Sequence, residues 1–129
     1  MKSNLFVSIF FLMSVSFLMS ACSDDNDEVT AIEGSWIRNH PTTDVPIRIN
    51  FNADGTFLWE PREETDQHTP SSGSYTYENE VLTIFGDEDC PDIDGRYEIM
   101  LSNNSLEVDV IEDACEPRIA GMKGVWTAE

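Results

Sequence analysis

The chain has 129 residues, 25 of them acidic and seven basic, for a net charge of −18. That length holds one small domain and a leader. The sign argues against a nucleic-acid partner, and it leaves no basic patch with which to grip anionic lipid.

The first element is the leader. Lys2 precedes a run from Leu5 to Met19 rich in Phe, Leu, Ile, Val and Met, with no acid between Met1 and Ala21. A basic start, an apolar centre and small residues at the end are the parts of a secretory signal. Ser8, Ser14 and Ser16 interrupt the run, which is short and polar beside the roughly 20 apolar residues of a spanning helix. A plain secreted protein cut near Ala21 and an uncleaved anchor are the alternatives.

Leu18-Met19-Ser20-Ala21-Cys22 resembles the lipobox of bacterial lipoproteins, with Met19 where that motif usually carries leucine. The resemblance implies that residues 1–21 are a lipoprotein signal peptide. It also implies that Cys22 is lipidated and that the protein is held in the outer membrane by that lipid. The remaining 108 residues carry six basic and 25 acidic side chains, a net of −19. Residues 22–31 are polar and acidic without apolar periodicity, which reads as a disordered tether. Within it, Ser23-Asp24-Asp25-Asn26-Asp27-Glu28 resembles a signal that carries lipoproteins of some Gram-negative bacteria to the outer face of the outer membrane. A solvated spacer facing the periplasm is the alternative. With Cys22 assigned, Cys90 and Cys115 remain, and two thiols in a small exported domain are expected to pair.

Residues 32–129 alternate apolar and polar side chains in short segments divided by turn residues, the pattern of an all-β barrel or sandwich. Ser35–Asn39 is the first strand. PIRINF and TFLWE then pair around Ala53-Asp54-Gly55, with Gly at the left-handed position of a three-residue hairpin. This sets Phe51 opposite Phe57 and Ile49 opposite Trp59. SGSYTYE and VLTIF pair around Asn79-Glu80, with Tyr77 opposite Leu82 and Tyr75 opposite Ile84, aromatic against branched side chains. A third hairpin turns at Asn103-Asn104, whose Asn side chains suit the positive φ of a primed turn. It sets Leu101 opposite Leu106, Ile99 opposite Val108 and Tyr97 opposite Val110. Cys90 and Cys115 fall just beyond its open end, where a disulfide would clamp the mouth. Glu116–Met122 reads as a short helix and Val125–Thr127 as the last strand. Eight strands in simple succession favour an antiparallel up-and-down barrel, with a two-sheet sandwich as the alternative.

Gly34-Ser35-Trp36, Arg118 and Gly124-Val125-Trp126 resemble the lipocalin-like (calycin) domains of bacterial lipoproteins. That resemblance makes Trp36 the barrel floor and Arg118 its cation–π partner. A second lipocalin signature is absent, and the chain is shorter than typical lipocalins. An eight-stranded barrel is filled by its own side chains or holds one small ligand. Phe51, Phe57, Trp59, Tyr75, Tyr77 and Tyr97 are the candidate ligand lining, with a plain apolar core as the competing assignment.

The loops show no catalytic constellation. His40 and His68 stand apart without a nucleophile motif, and the acids of Asp87–Gly95 do not fit a calcium loop because Cys90-Pro91 interrupts them. No metal, cofactor or enzymatic activity is expected. Two functions remain. One is a lipid-anchored envelope module holding a small apolar ligand; the other is a filled barrel whose loops grip a protein or envelope partner, as an inhibitor would. The long segment Glu60–Ser72 is the place to look for a partner contact.

Overall fold

Eight strands follow one another, each antiparallel to the next, and the last returns to the first. In the computed structural model, which describes residues 31–129, they are β1 (Gly34–Asn39), β2 (Pro46–Phe51), β3 (Thr56–Pro61), β4 (Ser71–Glu78), β5 (Val81–Phe85), β6 (Gly95–Leu101), β7 (Ser105–Glu112) and β8 (Gly124–Ala128). A single helix, α1 (Glu116–Met122), precedes β8. The expected signal peptide, the expected lipidation site Cys22 and nearly all of the expected tether lie outside the described residues. Closure of β8 onto β1, with Trp36 opposite Ala128 and Ile37 opposite Thr127, makes a barrel and not a two-sheet sandwich. No described helix is long and apolar enough to cross a membrane.

The hairpin registers follow from side-chain alternation. Phe51 pairs with Phe57 and Ile49 with Trp59; Tyr77 pairs with Leu82 and Tyr75 with Ile84; Leu101, Ile99 and Tyr97 pair with Leu106, Val108 and Val110. A one-residue slip in any of them would turn its apolar set outward. Gly55 takes φ 85°, as its hairpin requires.

The two other turns exchange roles relative to expectation. Asn79 and Glu80 both have positive φ, 51° and 64°, so the primed turn lies where glycine is absent. Asn103 and Asn104 keep negative φ. Their hairpin closes through Ser102 N–H donating to the Ser105 carbonyl at 2.9 Å, and the Asn104 carbonyl accepts from Ala128 N–H at 2.9 Å.

The barrel has two unlike ends. Residues 52–55, 79–80 and 102–104 form tight turns at one end. At the other lie the longer connections 40–45, 62–70, 86–94 and 113–123. Between them Ile47, Ile49, Leu82, Ile84, Tyr97, Leu106 and Trp126 are wholly buried, so the middle of the barrel is filled. The Cys90–Cys115 disulfide joins two of the long connections. At seven residues, α1 is too short to persist alone. Besides the disulfide, Arg38 holds its last turn, donating to the carbonyls of Ala120 (3.0 Å), Gly121 (3.2 Å) and Lys123.

The expected pairing of Trp36 with Arg118 does not form. Trp36 is buried near the short-turn end, its indole N–H donating to the Ile32 carbonyl at 2.9 Å. Arg118 lies in α1 at the other end. The cation over an indole is Arg38, 4.7 Å from the centre of the Trp126 ring. Continuing the β1–β8 register by one residue sets Arg38 opposite Trp126 on the inward face. Neighbouring strands bring that pair together; no strand brings Arg118 to Trp36.

Two stability measurements follow. Glu80→Gly relieves a positive φ that L side chains resist and should raise the unfolding free energy by about 0.5–1 kcal/mol in urea titration. The Cys90→Ser/Cys115→Ser double variant should lower it by about 3–4 kcal/mol, the loop-closure entropy for a separation of 25 residues.

Candidate functional site

The long-loop end encloses a cavity of about 410 Å³. Its walls come from all four long connections and from the strand ends beneath them. Phe57 and Trp59 enter from β3, Ser71 from β4 and Ile84 from β5. His40 and Thr43 come from the first connection, and Gln67, His68 and Thr69 from the second. Asp87 and Asp89 come from the third, and Pro117, Arg118, Ala120, Gly121 and Met122 from α1.

Backbone bonds aim His40 inward. His40 N–H donates to the Val45 carbonyl at 2.8 Å, and Asp44, at φ 59°, returns its own N–H to the His40 carbonyl at 2.9 Å. The turn is tight and leaves His40 only 7% exposed. Thr42 N–H donates to His40 Nδ1 at 3.2 Å, so the neutral ring carries its proton on Nε2. Burial, the adjacent His68 and the Arg38 charge all pull the His40 pKa down, and the ring is neutral at pH 7. His68 lies 4.3 Å from it between ring centres, 5.5 Å from Trp59, and shares a 2.7 Å hydrogen bond with Thr43 Oγ1. Trp59 leans on α1, its indole N–H donating to the Gly121 carbonyl at 3.3 Å. One side of the cavity is therefore an aromatic wall.

A second part of the lining is ionic. Arg118 donates through Nε and Nη2 to both oxygens of Asp113 at 2.7 Å, through Nη2 to the Ile93 carbonyl at 2.8 Å, and through Nη1 to Asp87. Asp113 also accepts from Cys115 N–H at 2.8 Å and from the Tyr97 hydroxyl. Gly95 permits this arrangement, because a Cβ there would meet Asp113 and Arg118. Burial pushes the Asp113 carboxyl up, but hydrogen bonds from Arg118, Tyr97 and the Cys115 amide outweigh it and hold the group below its ordinary range. Burial and the Asp113 partner both push the Tyr97 phenol well above its usual value, so it stays a donor. Four of the five guanidinium N–H groups are thereby used, and the side chain serves as a structural cation.

Ser71 completes the site. It is 5% exposed, lines the cavity, and its hydroxyl has no hydrogen-bond partner. Only one other buried side-chain atom among the described residues shares that condition, Arg38 Nε, whose guanidinium lies against Trp126.

The six aromatic residues expected to line one calyx divide among three places. Phe57 and Trp59 line the mouth cavity. Tyr75 and Tyr77 border a smaller hollow of about 220 Å³ at the short-turn end, beside Ile32. Phe51 and Tyr97 belong to the core, at 1% and 0% exposure. Sequence reasoning left His40 and His68 as loop residues without a nucleophile motif and set Arg118 against Trp36; it pointed to Glu60–Ser72, which contains His68 and Ser71, for a partner contact but did not single out the Ser71 hydroxyl. The signal available was the inward phase of β4, which runs Ser71, Gly73, Tyr75, Tyr77 and so places a hydroxyl at an interior position. Among the described residues, no group of three or more His, Cys, Asp and Glu side chains converges on a metal site. Comparison with protein-family models, curated proteins and solved structures returned no match.

The depressed Asp113 pKa sets a pH window. A carboxyl held lower in the folded chain contributes stability that is complete above its unfolded value of about 4 and is lost as pH falls through the folded one. The stability gap between the native chain and Asp113→Asn should be full at pH 7 and close below about pH 4, measured by urea unfolding across that range.

Proposed function

We propose that the protein is a lipid-anchored binding module of the cell envelope, with a lipocalin-like barrel that holds a small ligand at its open end. The observation carrying this reading is the cavity of about 410 Å³ with the buried, unpartnered Ser71 hydroxyl on its wall. Small-molecule sites have volumes of about 300–1,000 Å³ and combine apolar walls with a few directed polar groups. A buried hydroxyl without a partner costs about 1–3 kcal/mol, and a ligand bonding to it recovers that energy. Because the barrel below is filled, the ligand sits between Trp59, His68 and α1 and not deep in an aromatic calyx.

The anchor in this reading is the lipid on Cys22, with residues 22–31 as the tether. Leader composition and the lipobox resemblance support it, and the acids after Cys22 favour the outer face of the outer membrane. The filled interior also suits a scaffold whose loops grip a partner; the mouth cavity is what favours a ligand.

Intact-mass spectrometry of the native protein tests both parts. The expected denatured mass is that of a chain beginning at an acylated Cys22. Under non-denaturing conditions a small-molecule adduct should accompany it, and Ser71→Leu, which fills the cavity, should lose the adduct. An unmodified N-terminus would refute the anchor. A bare protein that takes up nothing from envelope extract would refute the ligand.

A further inference from the structure

Charge is distributed unequally between the two ends of this barrel. The four long connections, residues 40–45, 62–70, 86–94 and 113–123, carry eleven acids and three bases. The three tight turns at the other end carry Asp54 and Glu80, with Glu33 beside them ahead of β1. The cavity opens at the acidic end. Its own lining holds two carboxylates, Asp87 and Asp89, against one guanidinium, Arg118. Behind the wall, Asp113 also pairs with Arg118, while Arg38 lies over Trp126. A cleft lined by one sign of charge with low-dielectric walls concentrates the oppositely charged solute.

The charge of the single lining cation is already paired with two carboxylates. All three guanidinium nitrogens of Arg118 are engaged by Asp87, Asp113 and the Ile93 carbonyl. Asp87, by contrast, uses only Oδ1 in that network among the described residues. Its other oxygen remains to accept a bond. The same lining carries Trp59, the two imidazoles, of which His40 is neutral at pH 7, and Phe57, which meets Asp87 around Gly73. An indole face attracts a cation, most strongly where water is excluded. Ser71, opposite Trp59 in the β3–β4 register, supplies an unpartnered hydroxyl in the same lining.

The geometry points to a small organic cation as the ligand class: an ammonium head against Asp87 and Asp89, with an apolar or aromatic body against Trp59 and Phe57. This rests on the reading of the mouth cavity as a ligand site and adds the sign of the ligand. A carboxylate such as a fatty acid would meet the repulsion of Asp87 and Asp89 with only neutral donors beside it, the Ser71 hydroxyl and the His40 Nε2–H, and no unpaired cation to offset it. A neutral ligand would use Ser71 and Trp59 but gain nothing from the charge of the mouth.

The test compares three probes of one shape, 1-naphthylmethylammonium, 1-naphthalenemethanol and 1-naphthoate, by isothermal titration of the purified chain at pH 7. The ammonium should bind at least about tenfold more tightly than the carboxylate, and more tightly than the alcohol. Asp89→Asn should weaken the ammonium several-fold and leave the alcohol unchanged. Glu107→Gln, the same charge change on the outer wall, should alter neither. If the carboxylate or the alcohol binds as tightly as the ammonium, the inferred sign is overturned while the cavity remains a ligand site. If no probe binds, or if Ser71→Leu leaves binding intact, the cavity reading itself fails, and the ligand class with it.

Discussion

Arg118 is a buried cation held between two buried carboxylates, and the open end of this barrel depends on it. It lies in α1, while Asp87 follows β5 and Asp113 follows β7. One side chain thus ties the helix to two connections that are distant in sequence. Removing one member of such a network strands a charge in low dielectric, at a cost of about 3–5 kcal/mol. The Cys90–Cys115 disulfide fastens the same two connections covalently. Together with Arg38 at the last turn of α1, these contacts hold seven helical residues that would otherwise be coil.

The rest of the architecture follows from that fixed helix. With α1 set across the mouth, Gly121 meets Trp59 and the helix forms one wall of a cavity above a filled barrel. The tight-turn end needs no such bracing, because Gly55 and the Asn79-Glu80 pair turn the chain within a few residues. Stability is built into the middle and the short-turn end. Polar and ionisable side chains are gathered at the mouth, where His40, Ser71, Asp87 and Arg118 are all less than a tenth exposed. Buried polar groups at one end of an apolar barrel are costly to fold around, which is the main physical reason to place function there.

Much of the fold was legible in the residues because strand pairing is local. Alternation over five or six positions and a turn residue between them set each register, as Phe51–Phe57 and Ile99–Val108 show. The helix was legible from its bounds, and the disulfide from the outward extension of one hairpin. The site was not legible, because its contacts are distant in sequence. Arg118 and Asp87 are 31 residues apart, and His40 and His68 meet only because two loops fold over the same opening. Tryptophan pairing failed for the same reason. Two G-x-W segments stand in β1 and β8, and only the register between those strands shows that Arg38 faces Trp126.

Amide and indole chemical-shift mapping during titration with 1-naphthylmethylammonium tests the account most directly. Shifts should concentrate at the Trp59 indole, Ser71, residues 87–89 and residues 120–122, leaving the Trp36 and Trp126 indoles nearly still. Shifts centred on Tyr75 and Tyr77, or spread over the outer wall around Met100 and Val125, would contradict it.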